Sequence, residues 1–259
     1  MKLPFSKYHG TGNDFILIDN RKGAVVLTKE QIEKLCHRRY GIGADGLMLL
    51  ENAEGYDFKM VYYNADGKEG SMCGNGGRCI VRFAHDSGIL KSEFLFIAVD
   101  GPHDASLEMD GTVRLKMKDV EQVESHTTFE FVDTGSPHVV KHISGIETFD
   151  VVNEGKAIRN SHNYKENGVN VNFVEVLEDD RIYVRTYERG VEDETYSCGT
   201  GVTASALVNA HNERGFNHVD VQTNGGLLYV EFDKTGDTSF RNIWLAGPAT
   251  RVFAGEILL

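Results

Sequence analysis

Ser71-Met72-Cys73-Gly74-Asn75-Gly76-Gly77-Arg78-Cys79 is the stretch from which the fold is read. A cysteine opens a run of small residues, and an apolar helical pattern follows through Ile80, Phe83 and Ala84. That order puts a thiol at a helix N-terminus, where unpaired N–H groups and the helix dipole favour an anion. A thiolate forms more readily there than on free cysteine, and the glycines let a ligand approach the backbone. The arrangement recurs in Ser197-Cys198-Gly199-Thr200-Gly201, again ahead of a helical run. Cys198 follows Cys73 by 125 positions, by subtraction, as Tyr187 follows Tyr62; Thr134-Gly135 follows Thr11-Gly12 by 123. Each half therefore reads as a T-G loop, strands, a cysteine loop, a helix and hairpin strands. Two copies make an internal duplication and not a solenoid. A two-fold relation between them would set equivalent loops face to face across a cleft. The expected domains are residues 1–118, joined by 249–259 and carrying Cys73, and residues 119–248, carrying Cys198.

Working outward, Phe15–Asp19 reads as a strand, and Thr28–Tyr40 as a helix capped by Thr28 with Gln31 completing a capping box. Ile32, Leu35 and Cys36 form its apolar face, and Gly41 is expected to end it. Gly41–Gly46 matches G-x-G-x-x-G, but a helix precedes it and a strand follows. That reverses the order a dinucleotide site needs, so turn glycines explain it. Further strands are expected at 47–51, 58–63, 94–99, 105–109 and 113–117. In the second half they fall at 129–132, 139–143, 169–177, 181–188, 218–222, 227–232 and 243–246. After Cys73, Arg78, Arg82, His85 and Asp86 share one helical stripe, and Cys79, Ile80, Phe83 and Ala84 the other. The helix expected over Val202–Arg214 is small or apolar nearly all round to Ala210, which marks a buried helix.

Composition sets limits. Hydrophobic residues are 41% and charged residues 25% of the 259, as in ordinary globular proteins. A net charge of −12 argues against general binding to nucleic acid or anionic membranes. No apolar segment reaches the roughly 20 residues of a membrane helix, and no secretory h-region follows Lys2. The chain is expected to be cytoplasmic, with Cys36, Cys73, Cys79 and Cys198 as thiols.

Four kinds of chemistry suit two such cysteines. A redox pair lacks a C-x-x-C loop. A zinc site lacks the paired short spacings of about four ligands. A single nucleophile with His138 as base leaves the second cysteine without a purpose. Two-base proton transfer uses both: one thiolate takes a proton from carbon, the opposite thiol returns one to the other face, and configuration inverts. The two helix starts would hold the carboxylate on which charge builds. No metal or cofactor is required.

These residues, in this order along nearly the whole chain, resemble the diaminopimelate epimerase family. The motifs are His9-Gly10-Thr11-Gly12-Asn13-Asp14-Phe15, Gly41–Asp45, Asn64-Ala65-Asp66-Gly67, the two cysteine loops and Tyr187-Glu188-Arg189-Gly190. The resemblance implies an α/β (α+β) fold of two pseudo-symmetric domains, each a mixed, mostly antiparallel sheet wrapped around a central helix. It implies interconversion of LL- and meso-diaminopimelate for lysine and peptidoglycan precursors, without pyridoxal phosphate. A homodimer is compatible with it. Cys73 and Cys198 correspond to the two acid/base residues, and Gly74-Asn75 and Gly199-Thr200 to the carboxylate cradles. Asn13, Asn64 and Asn170 correspond to substrate-holding amides, Glu188 and Arg189 to an acidic–basic pair for the distal end, and His138 to a thiol-tuning histidine. Cys79 recurs in the motif as a structural residue. Two positions depart from the family: Ser136 stands where many members carry asparagine, and Gly46 where some carry glutamine. Proline racemases and hydroxyproline epimerases are the nearest alternative. They typically carry histidine at the position of Asn75 and Ser-Pro where this chain has Tyr196-Ser197.

Overall fold

Apolar runs without alternation belong to strands covered on both faces. Phe15-Ile16-Leu17-Ile18 and Leu47-Met48-Leu49-Leu50 are such runs, and all eight residues are buried. In the computed structural model, which describes residues 2–70, 72–177 and 181–259, these runs lie at the centre of one sheet. The chain divides into two units, Met1–Leu115 with Pro248–Leu259, and Lys116–Gly247.

The first unit contains β1 (Lys2–Gly10), β2 (Asn13–Asp19), α1 (Lys29–Cys36), β3 (Gly46–Glu51), β4 (Phe58–Asn64), α2 (Gly74–Asp86), β5 (Glu93–Ala98), β6 (Gly101–Leu107), β7 (Val113–Lys116) and β17 (Thr250–Leu258). Its strands pair in the order β17-β1-β2-β3-β4-β5-β6-β7. Only β2–β3 and β4–β5 are parallel, because those two connections are crossovers carrying α1 and α2. Alternate residues divide between the helices. Ile16, Ile18, Leu47 and Leu49 pack with Ile32, Leu35 and Cys36 of α1, and Met48 and Met60 reach the first turn of α2. Burial pushes the Cys36 thiol up to about 12, as suits a small core residue.

The second unit contains β8 (Val123–Ser125), β9 (Glu130–Asp133), β10 (Pro137–His142), a short 3-10 turn, α3 (Val151–Arg159), β11 (Asn170–Val176), β12 (Ile182–Glu188), β13 (Asp193–Thr195), α4 (Gly199–Val208), β14 (Gly215–Thr223), β15 (Gly226–Lys234) and β16 (Phe240–Gly247). Its order is β8-β9-β10-β11-β12-β14-β15-β16, with β13 added beside β12. Parallel pairs again fall at the third and fifth steps, across α3 and α4. The two units thus share one succession of eight paired strands and two crossover helices. The fold is the α/β (α+β) architecture of two pseudo-symmetric halves, each with a mixed, mostly antiparallel sheet and a buried helix, α2 or α4.

Several details differ from the sequence reading. α1 ends at Cys36, because His37 turns extended (ψ 121) and its Nδ1 accepts from the N–H groups of Arg39 and Tyr40. Gly41 is needed for another reason: a Cβ there would lie 2.0 Å from the Lys34 carbonyl oxygen. α4 stops at Val208, where Asn209 folds its amide back onto the Ser205 carbonyl. The residues from Asn212 instead join the Asn217 side chain. Of the charged stripe Arg78, Arg82, His85 and Asp86, Arg78 is fully buried.

Candidate active site

The first cysteine loop is built from the α2 start and the β1–β2 turn. Cys73 is the N-cap of α2, extended at φ −116 and ψ 150, and its Sγ accepts from the Gly76 N–H at 3.2 Å. The Gly77 N–H is taken by the Cys73 carbonyl. Gly76 must be small, since a Cβ would meet Met48 Cε at 2.5 Å and Cys73 Sγ at 3.1 Å. Asn75 is buried, and its Oδ1 accepts from Thr11 Oγ1 (3.2 Å) and an Arg78 guanidinium nitrogen (2.9 Å). Its Nδ2 faces Asn13 Oδ1 at 3.4 Å. Asn13 donates in turn to Asp45 at 2.6 Å, and Arg38 braces Asp45 and Asp14. Lys7, buried behind them, pairs with Asp14 and donates to the Gly43 carbonyl. Burial alone would raise the Asp14 carboxyl; the bonds from Arg38 and Lys7 override it and hold the group well below the carboxylate range. The structure therefore brings together Asn13, Cys73, Gly74 and Asn75. Asn64 stands apart. It is exposed at the end of β4; its backbone N–H donates to the Lys68 carbonyl, and its side-chain amide has no hydrogen-bond partner among the described residues.

Gly46 lies opposite Asn64 in the β3–β4 ladder. A Cβ on it would meet the Tyr62 ring at 2.5 Å, the Tyr63 carbonyl oxygen at 2.7 Å and the Tyr62 hydroxyl at 2.9 Å. The Tyr62 ring fills the space a longer side chain would need. Gly46→Ala is expected to lower stability by about 2 kcal/mol through overpacking, measured by urea denaturation.

In the second unit Cys198 is the N-cap of α4 and 8% exposed, with its Sγ 3.5 Å from Thr200 Oγ1. Thr134, the counterpart of Thr11, donates to the Thr200 carbonyl at 2.9 Å. Threonine has no amide at this position, so the loop grips backbone where the first unit grips Asn75. His138 is fully buried beside the first turn of α4, its Cε1 3.3 Å from where a Gly201 Cβ would lie. Asn172 fixes its tautomer. The Asn172 Oδ1 accepts from Thr186 (2.9 Å), and its Nδ2 donates to the Val139 carbonyl and to His138 Nδ1 (both 3.0 Å). The hydrogen on the ring must then sit on Nε2, which has no partner among the described residues. His138 is thus a neutral donor and not a base. Burial, helped by Arg189, pulls it down to about 3.

That shift has a stability consequence. A histidine depressed when folded contributes stability above its unfolded pKa of about 6.5, and that stability is lost as pH falls toward the folded value. Between about pH 7 and about pH 5 the chain is expected to lose about 2 kcal/mol from this group. The drop in melting temperature over that window should shrink by this group's share in His138→Gln.

A third cluster joins the ends of β10, β11 and β12. Asn170 Oδ1 accepts the Arg189 N–H at 2.8 Å, and its Nδ2 donates to the Pro137 carbonyl at 3.3 Å. The Arg189 guanidinium donates to the Asn167 carbonyl (3.0 Å) and to Ser136 Oγ (3.3 Å). Gly168 must be glycine, since a Cβ would strike Arg189 Cδ at 2.6 Å. Asn170 is spent on holding this turn, and Ser136 steadies the arginine. Glu188 precedes Arg189 at the end of β12, half-buried.

Two glycine-opened helices, each N-capped by a cysteine within the same strand succession, make a narrow structural signature. The diaminopimelate epimerase profile matches residues 5–123 and 130–252. The chain belongs to the diaminopimelate epimerase family. A diaminopimelate epimerase of Flavobacterium psychrophilum is 50% identical over 97% of this chain and 98% of its own. That of Chlorobaculum tepidum is 44% identical over 96% and 99%. Among solved structures, a Bacillus anthracis phenazine biosynthesis protein of the PhzF family superposes with a TM-score of 0.78 at 13% identity, covering 100% of both chains. A hydroxyproline epimerase of Agrobacterium vitis gives 0.73 at 14% identity, covering 100% of this chain and 93% of that one. At such identities these structures establish the fold this chain shares with them. The glutamine that some family members carry at the position of Gly46 has no room beside Tyr62 here.

Sequence reasoning missed four residues of this site: Thr11, Arg78, Thr134 and Asn172. Arg78 did carry a signal, because a cation close to the start of a helix opposes the dipole and calls for a reason. Asn172 had a weaker one, as a polar residue between the apolar Val171 and Phe173.

Proposed function

We propose that the chain interconverts LL- and meso-diaminopimelate by cofactor-independent two-base proton transfer, with Cys73 and Cys198 as the acid/base pair. The observation that carries this is the N-cap position of both cysteines on equivalent helices whose first turns are glycine-rich. The thiolate of one cysteine takes the α-proton, and the thiol of the other protonates the opposite face of the planar carbanion. The reading requires both thiols to reach one carbon from opposite sides. Charge moving onto the α-carboxylate is met by the N–H groups at Gly74-Asn75 and Gly199-Thr200. Asn13, Asn64 and Asn170 with its turn border the substrate. Arg189, steadied by Ser136, pairs with the distal carboxylate, and Glu188 suits the distal ammonium. His138, as a neutral Nε2–H donor, supports the cradle of α4.

Acid/base cysteines must stay reduced, which fits a cytoplasmic enzyme. Among the described residues no helix is long and apolar enough to cross a membrane. A homodimer belongs to the same reading, with Val252, Phe253 and Leu258 on β17 as exposed apolar side chains.

The test is incubation of the reduced protein with LL-diaminopimelate in deuterated water, without pyridoxal phosphate or metal. Meso product carrying one α-deuterium is expected. No incorporation and no inversion, with both thiols verified, refutes the reading, and faster turnover of proline would replace it.

A further inference from the structure

We infer that the buried Arg78 guanidinium is the positive charge that holds Cys73 as a thiolate, making Arg78 a positioning residue acting through Cys73 and Asn75. The inference rests on the two-thiol reading above. Arg78 has no exposed surface, and no carboxylate pairs with it among the described residues. Its hydrogen bonds go to neutral oxygens: the Gly74 carbonyl (3.2 Å), Thr11 Oγ1 (3.2 Å), Asn75 Oδ1 (2.9 Å) and the Pro248 carbonyl (3.4 Å). A buried cation without a counter-ion is costly and is ordinarily paired. Here it springs from the second turn of α2 and folds its guanidinium back onto Gly74 and Asn75 of the first, where the helix dipole also opposes it. Both penalties fall if an anion forms close to it, and the group capping the turn its guanidinium reaches is Cys73. The guanidinium, though lowered by burial to about 10, keeps its charge at neutral pH, and negative charge on Cys79 or on Cys73 would stabilise it in return.

The other ionisable groups around α2 do not take this role. Cys79, next to Arg78, is pushed far up by burial and stays a thiol. Tyr8 of β1 is bound to Asp86 at the far end of α2, roughly 18 Å along the axis at about 1.5 Å per residue. Arg82 pairs with Asp86, to which His85 also lies close. Asp14 of β2 is neutralised by Lys7 and Arg38, and His103 of β6 pairs with Asp100. Arg78 also sets the direction of Asn75. With Arg78 and Thr11 both donating to Oδ1, the amide must turn its donor side away from the arginine. The duplication supplies a contrast. Adding the 125-residue offset to Arg78 gives Thr203, a buried neutral residue whose hydroxyl donates to the Gly199 carbonyl at 3.0 Å. At this position the charge belongs to the first half alone.

The test is the pH profile of iodoacetamide alkylation at Cys73, resolved by peptide mass spectrometry on the full chain without substrate. Arg78→Met is expected to raise the Cys73 midpoint by one unit or more, about ten-fold less thiolate at neutral pH. Arg78→Lys, which keeps the charge, should stay within about half a unit of the parent while binding substrate less well. An unmoved midpoint in folded Arg78→Met overturns the inference, since a merely structural residue would change only the melting temperature. If Arg78→Met does not fold, Arg78→Lys decides: a midpoint one unit higher with the charge retained overturns it, and an unmoved one supports it. The profile needs no turnover, so failure to epimerise diaminopimelate would count against the proposed function and not against Arg78.

Discussion

Cys73→Ala and Cys198→Ala are each expected to lower kcat for inversion by at least about 10³-fold, because each removes one of two general acid/base groups. The fold should survive. The Cys73 Sγ accepts one N–H bond from Gly76, and losing a cap of this kind costs about 1 kcal/mol. The two single variants should not behave alike. Each keeps one thiol, and one thiol can remove an α-hydrogen and return a deuteron to the same face. Each variant should therefore wash solvent deuterium into one configuration at the α-carbon with little inversion, and the two should prefer opposite configurations. Proton NMR in deuterated water measures the exchange, and chiral chromatography the inversion. A single variant that inverts within ten-fold of the parent would show that its missing thiol is not an acid/base residue.

Arg189→Met is expected to raise KM for diaminopimelate about 30-fold or more, with a smaller change in kcat. A charge-assisted bond contributes about 1.5–3 kcal/mol, and the distal carboxylate lies remote from the reacting carbon, so its loss weakens binding most. Ser136→Ala should move KM in the same direction by only a few-fold. Ser136 touches the guanidinium at 3.3 Å, but the Asn167 carbonyl and the Asn170–Arg189 backbone bond remain to hold the turn. Steady-state kinetics of both variants test the order. An Arg189→Met enzyme with unchanged KM would remove that side chain from the substrate.

Much of the fold is legible where one residue pattern carries one structural demand. The capping box at Thr28 and Gln31 is present in both directions, and the apolar runs of β2 and β3 are strands buried on both faces. Legibility fails where tertiary packing overrides local preference. Pro4, Ser6 and Lys7 break the pattern of β1, yet Lys7 is buried because Asp14 meets it. Gly155 hides α3, since mid-helix glycine is unfavourable. It is there because a Cβ would lie 2.4 Å from the Tyr187 Cβ. Arg78 shares a stripe with Arg82, His85 and Asp86 in the sequence, and charge is usually exposed, so nothing local announces its burial. The site divides the same way. The cysteines and glycines are visible as motifs, whereas Thr11 and Asn172 act on neighbours distant in sequence and Arg78 ties its own helix start to Thr11 and Pro248, contacts that only the folded chain makes.

The pairing of β17 with β1 bears on how the molecule is made. Leu258 lies opposite Lys2 and Thr250 opposite His9, so strands from opposite ends of the chain run side by side. On the ribosome, β17 is synthesised only after the whole second unit. The first unit must wait with one flank of β1 uncovered, while the second can complete itself from contiguous residues. An uncovered strand edge invites mispairing, so the interval before β17 arrives is when a nascent chain is most exposed to aggregation. The same adjacency makes the chain a candidate for circular permutation: linking its ends and opening it elsewhere would turn the slow long-range β1–β17 pairing into a local hairpin.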